Sequence, residues 1–129
     1  MMLDRNGRVL YIDDSKDTCE MMATLLADAG LKVEYRLSAG EGLTLAKHGG
    51  FDLILLDWVL PDGSGTELCR TIRTFDPRTP IVFLSGRSHV SDQEEALDAG
   101  AQAFLMKPVG INELLSTLSQ LRRNSADPA

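Results

Sequence analysis

The sequence has no long hydrophobic run and only two cysteines. Its apolar segments are far shorter than the roughly 20 residues that a membrane-spanning helix needs. The segment from Met1 to Arg8 has no apolar stretch behind a basic start, so we expect no signal peptide and no membrane span. Cys19 and Cys69 lack the spacing of metal ligands, which favours two buried thiols in the reducing cytoplasm, with a disulfide left open.

Basic residues are also in deficit. The 129 residues include 13 Lys and Arg against 19 Asp and Glu, for a formal net charge of −6. Because direct nucleic-acid binding needs Lys and Arg that displace phosphate counterions, this composition argues against it. The length suits one domain, which we place at 8–123, after a lead at 1–7 and before a frayed tail at 124–129.

Short apolar segments alternate with segments of helical periodicity. The predicted strands are 8–12, 32–36, 52–56, 80–84 and 101–106. The predicted helices are 16–29, 39–48, 66–74, 91–99 and 111–123. Strict alternation with short loops predicts an α/β fold with a doubly wound parallel sheet, and five such strands suit the flavodoxin-like order 2-1-3-4-5.

Polar residues stand at the carboxyl ends of four predicted strands. They are Asp13, Asp14, Asp57, Ser85 and Lys107. In an open parallel sheet these ends meet at one edge, and ligands bind there near the point where the strand order reverses. Each residue alone has an ordinary explanation as a strand end, a turn former or a helix cap. Their joint occurrence at one edge favours a shared site.

The residue types at this edge are typical of phosphoryl transfer. Three carboxylates in one crevice repel each other unless a cation binds, and Mg²⁺ prefers a few carboxylates together with waters and a phosphate. Lys107 offers a point charge and Ser85 a hydroxyl to the oxygens of a phosphoryl group. Since a carboxylate nucleophile that forms an acyl phosphate is established chemistry, the pattern predicts a phosphorylated aspartate.

Four motifs make the chain similar to a known family. They are YIDD at 11–14, LLDWVLPDGSG at 55–65, LSG at 84–86 and KP at 107–108. With them, residues 8–123 resemble the response regulator receiver domain of two-component systems. The resemblance implies a CheY-like fold and a phosphorelay switch rather than an enzyme. It also implies that Asp57 accepts a phosphoryl group from a histidine kinase or a histidine phosphotransfer protein.

The resemblance implies a role for each acid. Asp14 and Asp57 would bind Mg²⁺ directly, the backbone carbonyl of Val59 would be a third ligand, and Asp13 would act largely through water. Self-phosphorylation and self-dephosphorylation at Asp57 would be the only chemistry of the domain.

The resemblance also implies a conformational switch. Ser85 and Lys107 would contact the phosphoryl oxygens. As the hydroxyl of Ser85 moves toward the phosphoryl group, the ring of Phe104 would turn inward into the space that it leaves. A plain core phenylalanine is the alternative for Phe104. Val59 and Arg87 occupy positions that tune dephosphorylation in the family, which predicts a slowly decaying phosphoryl group.

The resemblance places the output on a protein surface. A downstream protein partner would dock on the face built from the fourth helix, the last strand and the last helix, where Leu115 is a candidate contact or simply a lone exposed leucine. A homodimer is left open. So are a single-domain regulator and a receiver piece of a longer protein.

Three other functions fit the residues less well. An aspartyl phosphatase often has a second acid two residues after its nucleophile, where this chain has Val59. A flavin carrier of the same fold needs a hydroxyl-rich loop after the first strand, where Asp13 and Asp14 would repel phosphate. A degenerate receiver that only binds partners is disfavoured by the intact acids, Ser85 and Lys107.

Overall fold

The computed structural model describes residues 7–86 and 90–126. The strands are β1 (Arg8–Ile12), β2 (Lys32–Arg36), β3 (Leu53–Asp57), β4 (Val59–Leu60), β5 (Gly63–Ser64), β6 (Ile81–Ser85) and β7 (Ala103–Met106). The helices are α1 (Lys16–Asp28), α2 (Ala39–His48), α3 (Gly65–Arg73), α4 (Val90–Asp98) and α5 (Ile111–Ala126). Within those ranges, no helix has the length and apolar character that crossing a membrane requires.

Five strands form one parallel sheet in the order β2-β1-β3-β6-β7. This is the predicted flavodoxin-like order, which is confirmed. The chain passes from β1 to β2 on one side and then returns to place β3 on the other side of β1. The strand order therefore reverses between β1 and β3, and a crevice opens beyond their carboxyl ends.

Alternate residues of the central strands face opposite sides of the sheet, as the period of a strand requires. Leu10, Ile54 and Phe83 belong to one buried cluster, which α2, α3 and α4 cover. Val9, Leu55 and Val82 belong to the other, which α1 and α5 cover. Because β3 is buried on both faces from Leu53 to Leu56, its register is strongly specified.

The two cysteines lie in different halves of this core. Cys19 is buried in the cluster under α1, and Cys69 is buried in the cluster under α3. Both are free thiols, in agreement with the interpretation as two buried cysteines. Leu115 of α5 packs against the core with partial burial, so it is a weaker candidate contact than the sequence suggests.

Several boundaries differ from the predicted ones. β3 and β6 each begin and end one residue later, so that Asp57 and Ser85 are the last residues of their strands. β4 and β5 form a short hairpin that lies outside the predicted strands, since strands of two residues show no hydrophobic alternation. α5 continues to Ala126, into the segment predicted to be frayed, because no glycine or proline interrupts it after Arg123. The predicted domain limits stay predictions.

A close backbone contact joins α3 to the end of β3. Gly65, the first residue of α3, is buried, and its N–H donates to the carbonyl oxygen of Trp58 at 2.9 Å. A Cβ at this position would lie 2.6 Å from Cε1 of Phe83 and would also collide with the carbonyl oxygen of Asp57. Only glycine allows this approach without moving the backbone.

We therefore expect Gly65→Ala to lower the free energy of unfolding by about 1–3 kcal/mol, the usual cost of overpacking a core. Chemical denaturation measures it. Gly86→Ala is the matched control, because a Cβ at Gly86 has no atom within 4 Å and should change stability little. Equal stability of the two variants would contradict the prediction.

Candidate functional site

The site lies at the carboxyl edge of the sheet, at the point where the strand order reverses. Asp13 and Asp14 follow β1, Asp57 ends β3, and Lys107 follows β7. Carboxylate oxygens of the three acids lie within 4.8 Å of one another. The structure therefore brings together the acids that the sequence places far apart.

Strand register brings these side chains to one level. Ile12 pairs with Leu56, so the next residue of each strand, Asp13 and Asp57, lies side by side. The hydrogen-bond ladder continues past the end of β7, since the N–H of Lys107 donates to the carbonyl oxygen of Ser85 at 2.8 Å. The lysine backbone is thus held in line with the sheet.

Lys107 bridges two of the acids. Its Nζ donates to Oδ2 of Asp13 at 2.8 Å and to Oδ1 of Asp57 at 3.2 Å. The Asp13 side chain is 1% exposed and that of Asp57 is 14% exposed, so both ion pairs are poorly screened by water. The ammonium is shared between an acid of β1 and an acid of β3.

Asp13 is fully engaged by donors. Its Oδ2 accepts from the hydroxyl of Tyr11 at 2.7 Å as well as from Lys107, and its Oδ1 accepts from the N–H of Ser15 at 2.9 Å. Asp14 is exposed and has no such set of donors among the described residues. A cation at this edge would therefore find free carboxylate oxygens on Asp14 and Asp57 rather than on Asp13.

Asp57 keeps one oxygen without a donor from the described residues. Its Oδ1 accepts from the N–H of Trp58 at 2.9 Å and from Lys107. Within residues 7–86 and 90–126, no donor lies within hydrogen-bonding distance of Oδ2. An anchored carboxylate with one free oxygen is the geometry that a nucleophile or a metal ligand needs.

The electrostatics of the site leave an excess of negative charge. Burial, together with the charge of Asp13, raises the pKa of Asp57, although Lys107 and the Trp58 N–H oppose this shift. Burial alone would lower the pKa of Lys107, but its hydrogen bond and ion pair with Asp13, and then those with Asp57, raise it. Three carboxylates against one ammonium leave two negative charges, which suits a divalent cation.

The remaining predicted residues lie around this cluster. Ser85 is buried at the end of β6, and Val59 is 61% exposed at the start of β4. The half-buried ring of Phe104 packs edge-on against Trp58, with ring centroids 5.5 Å apart. Arg87 lies outside the described residues.

Sequence reasoning missed three residues that support the site. Tyr11 was interpreted as an apolar strand residue, yet its hydroxyl binds Asp13. Trp58 packs against both Phe83, at 5.3 Å, and Phe104. A buried tyrosine two residues before an acid is a signal that a hydroxyl needs a partner, which the sequence does offer.

The third missed residue is Asp62, in the turn between β4 and β5. Its carboxylate oxygens accept from the N–H groups of Ala39 and Gly40 at 2.7 and 2.9 Å. These backbone N–H groups lower the pKa of Asp62. The loop after Asp57 is thereby fastened to the first turn of α2, a contact between elements that no local pattern predicts.

Fold and site together define a doubly wound α/β domain with three acids and a lysine at the strand-order reversal, a cluster that could hold a metal ion. The sequence profile of the response regulator receiver domain matches residues 9–119. The chain therefore belongs to the response regulator receiver domain family, as the motifs indicated.

Individual relatives agree with this assignment. The KDP operon transcriptional regulatory protein KdpE of Escherichia coli is 41% identical over 122 residues, which cover 94% of this chain and 54% of KdpE. The transcriptional regulatory protein DltR of Streptococcus agalactiae is 35% identical over 119 residues, which cover 92% of this chain and 53% of DltR. The chain thus spans about half the length of the curated relatives that it matches.

Solved structures give the same result. A two-component response regulator from Clostridium difficile has a TM-score of 0.90 at 26% identity, with 95% of this chain and 100% of that chain covered. A CheY-like receiver domain protein from Methanospirillum hungatei has a TM-score of 0.84 at 31% identity, with 92% and 98% covered. The chain is a receiver domain of the kind found in two-component response regulators.

We expect Asp57→Asn to stabilise the protein at pH 7 in the absence of divalent cations. A raised pKa means that the folded state binds the proton of Asp57 more tightly than the unfolded state. The stability that this carboxyl contributes is present below its unfolded pKa and is lost as the pH rises through its folded pKa. Each unit of pKa difference corresponds to about 1.4 kcal/mol.

Denaturation across a pH series in EDTA measures this effect. The difference in free energy of unfolding between Asp57→Asn and the parent should become smaller as the pH falls toward the unfolded pKa of about 4. If this difference in free energy does not change with pH, the charge of the Asp57 carboxylate is not its cause, and the prediction is wrong.

Proposed function

We propose that this domain is a phosphorylation-dependent switch in which Asp57 accepts a phosphoryl group from a phosphohistidine. The donor is a histidine kinase or a histidine phosphotransfer protein. The observation that carries the proposal is the environment of Asp57. Its Oδ1 is held by two donors, its Oδ2 has none among the described residues, and a lysine pairs with it inside a cluster of acids.

The transfer forms one bond and breaks another. Oδ2 of Asp57 attacks phosphorus, the P–N bond of the phosphohistidine breaks, and its electron pair returns to the imidazole. The Lys107 ammonium moves from the Asp57 carboxylate to one phosphoryl oxygen. The hydroxyl of Ser85 donates to another phosphoryl oxygen. Positioning and charge neutralisation supply most of what such a transfer needs.

Mg²⁺ fits the donor set of this site. Hard oxygen ligands are present on Asp14 and Asp57, and the backbone carbonyl of Val59, two residues after Asp57, is the proposed third ligand. When bound, Mg²⁺ supplies positive charge that offsets the repulsion between the acids and the incoming phosphoryl group. Asp13, whose oxygens are engaged by protein donors, contributes through water.

Phosphorylation would be transmitted through the aromatic contact beside Asp57. The hydroxyl of Ser85 moves toward the phosphoryl group, and the Phe104 ring turns into the space released. Phe104 has no hydroxyl, so its inward position buries no polar atom. Its contact with Trp58, whose N–H binds Asp57, places the switch residue one side chain away from the acceptor.

The proposed output surface is the face of α4, β7 and α5. Leu97 of α4 and Met106 of β7 are 55% and 46% exposed there, which suits contact with a protein partner or a second copy of the domain. KdpE and DltR are transcriptional regulatory proteins by name, so in a chain of similar length the partner would be a further output segment. Direct nucleic-acid binding by this acidic domain is not proposed.

Intact mass after incubation with Mg²⁺ and acetyl phosphate tests the acceptor. We expect one added phosphoryl group on the parent and none on Asp57→Asn. Asp52→Asn, at the opposite edge of the sheet, is the control and should be modified like the parent, since asparagine keeps the acceptor for the Arg8 N–H. A parent that no phosphodonor modifies would leave a domain that only binds partners.

A second prediction concerns the lifetime of the phosphoryl group. The side chain of Val59 is exposed two residues after Asp57 and offers no hydrogen bond to an attacking water. We therefore expect the acyl phosphate of Val59→Asn to be hydrolysed several-fold faster than that of the parent. Loss of the phosphorylated mass after donor removal measures the rate. Met21→Asn, which replaces an exposed apolar residue of α1, should leave it unchanged. A parent half-life of seconds would contradict slow decay.

A further inference from the structure

A buried hydroxyl lies directly beneath the acid cluster. Tyr11 of β1 is 0% exposed and belongs to the core under α1 and α5. Its neighbours in the strand, Val9, Leu10 and Ile12, are all aliphatic, and a phenylalanine would fill the same volume without burying a polar atom. The hydroxyl is explained by its one acceptor, Oδ2 of Asp13 at 2.7 Å.

The same carboxylate oxygen also binds the lysine. Nζ of Lys107 lies 2.8 Å from Oδ2 of Asp13 and 3.2 Å from Oδ1 of Asp57. The ammonium is therefore closer to the acid that is not phosphorylated. To neutralise a phosphoryl group on Asp57, Lys107 has to give up part of its contact with Asp13.

The phenol and the ammonium compete for one oxygen. A hydrogen bond from Tyr11 disperses negative charge on Oδ2 of Asp13 and occupies one of its lone-pair directions. This weakens the hold of Asp13 on Lys107. Without the phenol, Asp13 would attract the ammonium more strongly, and Asp57 would share less of it.

We propose that Tyr11 is a positioning residue whose hydroxyl sets how Lys107 is divided between Asp13 and Asp57. The proposal rests on the proposed role of Asp57 as acceptor and of Lys107 as its cation. By restraining the pairing of Asp13 with Lys107, Tyr11 keeps the ammonium available to the phosphoryl group. A purely structural tyrosine would only fill space under the sheet.

Tyr11→Phe separates these two roles, because the proposal predicts opposite changes in two measurements. Removal of the phenol draws Lys107 toward Asp13, so phosphorylation of Asp57 at saturating Mg²⁺ and acetyl phosphate should slow by at least ~3-fold, the effect of losing part of a charged hydrogen bond. Mg²⁺ should bind ~3-fold more tightly, since Asp57 loses part of its competing ammonium. Simple loosening of the site would weaken both.

The Mg²⁺ arm needs no phosphorylation. The chain has a single tryptophan, Trp58, whose backbone N–H donates to Asp57, so tryptophan fluorescence is the readout of an Mg²⁺ titration. Tyr35→Phe is the matched control, because Tyr35 pairs with Tyr11 across β1 and β2, yet its hydroxyl lies 3.5 Å from the exposed Glu20 carboxylate and bonds to none of the three acids, so its loss should change neither measurement. Thermal melting checks that Tyr11→Phe is folded, and Tyr11→Leu is measured instead if it is not.

The pairing with Asp13 gives a second test. In an Asp13→Asn background the negative charge that Tyr11 restrains is gone, so Tyr11→Phe should no longer alter Mg²⁺ affinity. An equal effect in both backgrounds would overturn the proposal, and so would unchanged or jointly weakened Mg²⁺ binding and phosphorylation in the single variant. If the parent is not phosphorylated at all, the proposed function fails, and the Mg²⁺ titration alone decides the role of Tyr11.

Discussion

The ion pairs of Lys107 with Asp13 and Asp57 are the interaction on which the site depends. Three carboxylates at one sheet edge repel each other, and the fold tolerates them because one ammonium is shared between the two less exposed ones. Lysine suits this position, since a point charge on a flexible stem can contact both carboxylates and, in the proposed function, a phosphoryl oxygen as well. The remaining negative charge suits a divalent cation, whose positive charge would in turn offset the repulsion between the acids and a phosphoryl group.

The packing of the sheet makes this arrangement possible. Lys107 follows β7, and it reaches acids on β3 and β1 because parallel register brings the carboxyl ends of these strands to one level. The register is held by side chains buried on both faces, and a slip of one residue would turn Asp57 away from Lys107. The hydrogen bond from the Gly65 N–H to the carbonyl oxygen of Trp58 ties the start of α3 to the backbone beside Asp57 and supports its position.

Two contacts connect the site to the rest of the domain. Asp62 ties the loop after Asp57 to the first turn of α2, and Trp58 joins Asp57 to Phe104 through a backbone hydrogen bond and an edge-on ring contact. A change of charge at Asp57 therefore acts on groups that already touch the proposed switch residue and the neighbouring helix. In the proposed function, local electrostatics and packing would connect the acceptor with the output face.

The sequence by itself determined the strand order, the two-sided core and the residues at the carboxyl ends, because hydrophobic periodicity and short loops admit few α/β topologies. The predicted ends of β3 and β6 lie one residue early, because a polar residue at the end of a strand resembles the start of a loop. Only the tertiary structure decided which donors Asp13 has. Tyr11 looks like one more apolar residue of a strand, although Asp13, the acceptor of its hydroxyl, is only two residues away. The tertiary structure buries this pair and brings Lys107, from the end of β7, to the same carboxylate oxygen, because the carboxyl ends of the parallel strands meet at one edge.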